Sequence, residues 1–172
     1  MILGLSTYAF TVLHVVISLI AIAAGFVVVF GMFSSNRLRG WTALFLAATI
    51  LTTVTGFLFP INGFTPALAF GVISSVLLAA ALLALYAYGL AGAWRWIYVA
   101  SAILALYLNV VVGIVQSFQN LAFLRPLAPT QSEPPFLVAQ VVVMVIFIVL
   151  GIAAVIKFHP EAKAALERRL SM

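Results

Sequence analysis

Five apolar runs, each about as long as a bilayer is thick, leave this chain almost no choice of fold. They occupy residues 8–33, 41–59, 66–88, 97–122 and 136–158. A helix needs roughly 20 mainly apolar residues to cross about 30 Å of hydrocarbon. Hydrophobic residues fill 66% of the 172 positions and charged residues only 6%, a balance foreign to a soluble domain of this size. In lipid the backbone finds no water, so each run must close its own hydrogen bonds as a helix. The sequence therefore predicts an all-α, polytopic transmembrane bundle of five helices. Residues 1–159 make that single domain. Residues 160–172 are expected to form a short amphipathic cytoplasmic tail, with Leu166 and Leu170 on one face. The first run lacks a basic flank and a small-residue cleavage site, so it is expected to remain as a span.

Charge orients the bundle. Seven of the eight Lys and Arg residues (Arg37, Arg39, Arg95, Lys157, Lys163, Arg168 and Arg169) fall on one side of the runs, and only Arg125 on the other. The positive-inside rule then places the N-terminus outside and the C-terminus in the cytoplasm. Trp41, Trp94 and Trp96, joined by Tyr98, lie beside the basic loops and read as an interfacial aromatic belt. A pI near 10 does not call for nucleic acid. Positive charge spread over short segments at the membrane edge pairs with anionic headgroups of the bilayer. With no cysteine, thiol redox chemistry and cysteine-held clusters are excluded.

Runs two–three and four–five make hairpins with shared tokens. Each starts at an arginine among aromatics, carries a late glycine (Gly56, Gly113), and re-enters through proline at Pro66 or Pro134-Pro135. Two readings stand open: a degenerate parallel repeat, or features that any two membrane hairpins share. Small residues four apart, Ala21 with Gly25, Gly71 with Ser75 and Ser101 with Ala105, are expected to let helices approach closely.

No Asp, Glu, Lys or Arg lies within a span core, which argues against an ion-coupled carrier. Only His14 titrates well within the bilayer. At about 1.5 Å per residue, it sits about 9 Å below the outer end of its run. Thr52, Thr53 and Thr55, Ser74 and Ser75, Gln116 and Gln140 fall at similar depth, with Asn109 nearer the midplane. Asn109, Gly113, Gln116 and Asn120 follow one helical face. Amides in hydrocarbon require partners, so the stripe is expected to face the bundle. His14, Thr52, Thr55, Asn109, Gln116, Asn120 and Gln140 are the candidate ligand-binding residues. The layer reads either as interhelical hydrogen bonding, as a cavity open to the outside, or as a face against another subunit. The loop LAFLRPLAPTQSEPPF offers Arg125, Gln131 and Glu133 as a rim or lid, with Arg125 and Glu133 paired over the cavity. Alternatively Ser132 or Glu133 caps the first free amides of the fifth helix.

No Gly-x-Ser-x-Gly elbow, zinc helix or acidic pair is present, so no catalytic residue, metal site or cofactor is expected. A haem would need axial ligands; His14 and His159 stand too far apart in depth, leaving His14 with Met144. A dyad of His14 and Ser18, one turn apart, competes with the serine bonding its own helix. The stretch from Trp94 to Gln140, including YLNVVVGIVQSFQN and LAPTQSEPPF, resembles small bacterial inner-membrane proteins of unassigned activity. That resemblance implies a multi-pass protein of the inner (plasma) membrane. The hydropathy alone is similar to cytochrome b-type bundles, without their paired histidines. The expected function is binding, or passive conduction, of a small neutral or amphipathic molecule through an outward-facing polar pocket. The alternatives are an accessory subunit or homo-oligomer in a larger membrane complex, and a haem-type redox protein using His14.

Overall fold

The computed structural model describes residues 2–60, 63 and 65–160. The predicted tail beyond residue 160 lies outside them. Five helices follow in order: α1 (Thr7–Phe33), α2 (Arg39–Phe57), α3 (Pro66–Leu82, continued by a π-helical turn to Ala87), α4 (Trp94–Asn120) and α5 (Pro134–Lys157). All five are long and apolar enough to cross a membrane. Four starts precede the predicted runs, α1 by one residue, α2 and α5 by two and α4 by three, while α3 begins at Pro66 as predicted. α2 begins at Arg39 and α4 at Trp94, because basic and aromatic residues at a membrane edge keep helical geometry although hydropathy discounts them.

Local chemistry sets the ends. Ser6 accepts from the Ala9 amide (3.2 Å) and Thr65 from the Leu68 amide (3.2 Å), each replacing a bond the first helical turn lacks. Pro66, and Pro134 with Pro135, open α3 and α5 where a missing N–H costs nothing. At the far end of α3, Tyr88 N–H reaches back to the Leu83 carbonyl (3.0 Å), a five-residue step. Gly89 (φ +58°) then turns left-handed, and Leu90 N–H bonds the Ala84 carbonyl at 2.9 Å. Leu90 is buried, so the cap is fastened by packing as well.

Helices α1–α4 close a four-membered ring of contacts, and α5 packs mainly on α4 and α1. The side of α1 and α4 that α5 covers is thus opposite to the side facing α2 and α3. The main buried cluster gathers at the end carrying Arg37, Arg39, Arg95 and Lys157, called the basic end below. It runs through Ala24–Met32, Phe45, Leu78, Leu85, Tyr98–Leu106 and Phe147–Phe158. Gly25 makes a close interhelical approach there: a methyl at its Cα would lie 2.5 Å from Leu106 Cδ1 and 2.9 Å from the Phe45 ring. Small residues let α1 meet α2 and α4 at that distance, as the Ala21–Gly25 spacing predicts. The two hairpins are unequal, 19 against 27 residues in their first helices, and only α3 ends in a π turn.

The basic end is tied across elements. The Arg95 guanidinium donates to the carbonyls of Val155 (2.9 Å) and Phe158 (2.7 Å), closing the last turn of α5. Ser35 Oγ donates to the Lys157 carbonyl and accepts from His159 N–H. Tyr88 and Trp94 stack at 3.9 Å.

Candidate functional site

Away from the basic end the buried cluster stops, and polar side chains take its place. No residue of α2 beyond Thr49, and none of α3 before Ser74, is buried. His14 stands at the centre of this half, partly buried. Its Nδ1 lies 2.7 Å from Thr55 Oγ1. The Thr55 hydroxyl already donates to the Leu51 carbonyl at 2.7 Å, so it has only a lone pair for the ring. His14 therefore donates from Nδ1, an assignment inferred from the bonding pattern. The neutral ring then keeps an acceptor at Nε2, which has no partner among the described residues. Phe59 meets the imidazole edge-on at 5.3 Å, and Phe10 meets Phe59 at 5.1 Å. Gly56 leaves space beside His14 Cε1, where a methyl would stand 3.7 Å away.

Ser18, one turn below, donates to the His14 carbonyl (2.8 Å) and lies 3.4 Å from Thr52 Oγ1. Its hydroxyl is thus engaged with its own helix rather than poised as a nucleophile. Deeper still, Asn109 Nδ2 reaches Thr49 Oγ1 at 3.4 Å. Only the first part of the α4 stripe faces the ring: Asn109 reaches α2, and Gly113 lies nearest Ile22 of α1. Gln116 and Asn120 bond one another, Asn120 Nδ2 to Gln116 Oε1 at 3.0 Å, and both are exposed. Gln140 shares their depth but not their side. It sits on α5, across the α1–α4 contact from the threonines, and has no hydrogen-bond partner among the described residues.

The predicted loop behaves differently from either expectation. Arg125 and Glu133 form no ion pair. The Glu133 carboxylate folds back onto Thr130 N–H (3.1 Å), Thr130 Oγ1 (2.9 Å) and Ser132 N–H (3.1 Å). It does not cap α5 either, because the first two helical residues are prolines with no N–H to offer. Desolvation pushes its pKa up, but the Thr130 and Ser132 donors outweigh it and hold the carboxyl below the ordinary glutamate value. Gln131 Nε2 bonds the Val115 carbonyl (3.2 Å), pinning the loop to α4. Ala128 is buried with Phe118 and Phe136, whose rings meet edge-on at 5.4 Å. A cleft of about 430 Å³ opens beneath this loop, lined by Phe118, Gln119, Arg125, Ala128, Pro129, Thr130 and Gln131.

The structure thus joins His14 directly to Thr55 and through Ser18 to Thr52, and joins Asn109 to α2 through Thr49. Thr49, Phe10 and Phe59 are absent from the sequence-based set. The spacing of Phe10 and His14, four residues apart on one helix, was the available signal. Met144, the second ligand of the haem reading, lies on the outward side of α5 at 42% exposed. Comparison with protein-family models, curated proteins and solved structures found no match.

Proposed function

We propose that this chain is a multi-pass inner-membrane protein, N-terminus outside, that binds or passively conducts a small neutral or amphipathic molecule. Its entry is an outward-facing polar pocket around His14, Thr52, Thr55, Asn109 and Gln116. One observation carries this reading. The larger buried cluster lies in the basic half, while the other half, with only a small cluster of Phe118, Ala128 and Phe136, holds partly open hydroxyls, amides and an imidazole whose Nε2 has no partner among the described residues. Burying polar groups in hydrocarbon is costly unless they are bonded or wet, so Nε2 and the exposed Gln116 support access by water or ligand. The chemistry suits a molecule with one O–H or N–H for Nε2 and an apolar part against Phe10 and Phe59. Absence of a charge in the span cores supports passive handling.

The chain has no cysteine, so single cysteines can be introduced without background. In intact cells, a small membrane-impermeant methanethiosulfonate should label Thr52→Cys and Gln116→Cys from outside and spare Ala102→Cys in the packed half. Unlabelled Thr52→Cys and Gln116→Cys would remove the pocket. Swelling of proteoliposomes in glycerol separates conduction from binding. A second reading, an accessory subunit or homo-oligomer, is supported by α5, which buries the smallest share of its apolar length of the five helices, against the largest for α4. Mass measurement in native membranes distinguishes it.

A further inference from the structure

At the basic end the α1–α2 connection, the start of α2 and the π turn of α3 border a second cleft. It holds about 260 Å³ and is lined by Arg37, Arg39, Thr42, Leu85 and Tyr86, far more than the ~30 Å³ share of one water. Two arginines line one hollow, and neither has a carboxylate partner among the described residues. The one acid among those residues, Glu133, is at the opposite end. Arg37 Nε is buried and makes no hydrogen bond. Buried donors in folded proteins are nearly always paired, and a cationic one has most to gain from an anionic acceptor.

The surroundings hold that arginine in place and leave its donors unspent. The buried Thr42 hydroxyl donates to the Arg37 carbonyl at 2.8 Å, fixing the backbone of the connection. Leu38, left-handed at φ 37°, occupies the N-cap position of α2 and has no side-chain acceptor, so α2 begins without a side-chain cap. Its uncapped first amides add the positive end of a helix dipole beside Arg39. Tyr86, exposed on the π turn, lines the same hollow. Planar guanidinium forks match the oxygens of a phosphate in pairs. The aromatic pair Tyr88–Trp94 lies just beyond the π turn, consistent with the depth at which lipid phosphates sit.

We propose that the Arg37–Arg39 cleft binds a phosphate group, presented by the headgroup of an anionic phospholipid at this end of the bundle. The site is separate from the polar half and stands independently of the function proposed for it. The test is native mass spectrometry of the full chain released from nanodiscs of phosphatidylcholine and phosphatidylglycerol in equal parts. Wild type should retain one phosphatidylglycerol in preference to phosphatidylcholine. Arg37→Gln and Arg39→Gln should each lower that preference about tenfold, the scale of one lost charge-assisted bond. Arg37→Lys, which keeps the charge and loses the fork, should fall between, and Arg125→Gln at the other end should behave as wild type. Unchanged unfolding in lipid-free detergent establishes that the glutamine variants are folded. Inorganic phosphate that displaces the lipid at similar concentration makes the free anion the occupant of the same site; lipid retention indifferent to phosphate makes it the headgroup. Retained preference in both folded glutamine variants, or equal loss in Arg125→Gln, overturns the proposal.

Discussion

Gly25 offers the sharpest measurement of how tightly the basic half is packed. In Gly25→Ala the new methyl would stand 2.5 Å from Leu106 Cδ1 and 2.9 and 3.0 Å from two atoms of the Phe45 ring. Leu106 is 0% exposed and Phe45 1%, so neither can swing into open space. Overpacking of this kind costs about 1–3 kcal/mol. Against it, alanine is favoured over glycine inside a helix by about 0.5–1 kcal/mol. Gly113→Ala supplies the control, because its methyl meets only Ile22 Cδ1 at an ordinary 3.8 Å. The propensity gain is common to both variants and cancels in the comparison. Gly113→Ala should therefore be stabilised by about 0.5–1 kcal/mol, and Gly25→Ala should lie about 1–3 kcal/mol below it. Equilibrium unfolding of the purified protein in mixed micelles of rising SDS fraction reads this gap as a shift in midpoint. Equal stability of the two variants would refute the close approach of α1 to α2 and α4, and with it the dry basic half.

Three further outcomes are expected. Arg95→Gln removes both bonds that close the end of α5; it should cost about 1.5–3 kcal/mol and speed amide exchange at Phe158, which stays slow if Arg95 is only a surface charge. Glu133 has a lowered folded pKa, so the ordering it contributes is present above the unfolded value of about 4.3. That contribution is lost as pH falls through the lower folded value. Exchange at Thr130 and Ser132 amides should rise on acidification, and Glu133→Gln should show fast exchange at every pH. Thr55→Val keeps the shape but removes the acceptor for His14, a loss of about 0.6 kcal/mol if it matches other interhelical bonds in membranes, measured by the same SDS titration.

The number and order of the helices were legible because length and hydrophobicity alone decide what can cross a bilayer. Depth was legible too, since it accumulates at about 1.5 Å per residue; that is how His14, Thr52 and Thr55 came to be grouped. Azimuth was not. These helices are apolar on nearly every side, so sequence carries little record of which face meets which neighbour. Gln140 therefore matched the layer in depth while standing across the α1–α4 contact. Glu133 escaped for another reason: a carboxylate beside two prolines had no helical amide to cap, and turned to Thr130 instead. The π turn of α3 had no signal in LALYA at all.

That turn also has a consequence for the register of the helix end. A π turn is what an α-helix becomes when one residue is inserted and the flanking contacts are kept. Each residue advances a helix by about 100°, so removing one between Leu83 and Ala87 would restore regular winding and swing Tyr86 away from its two arginine neighbours. The extra residue thus acts as a local shim, setting the phase of one aromatic ring without disturbing the helix that carries it.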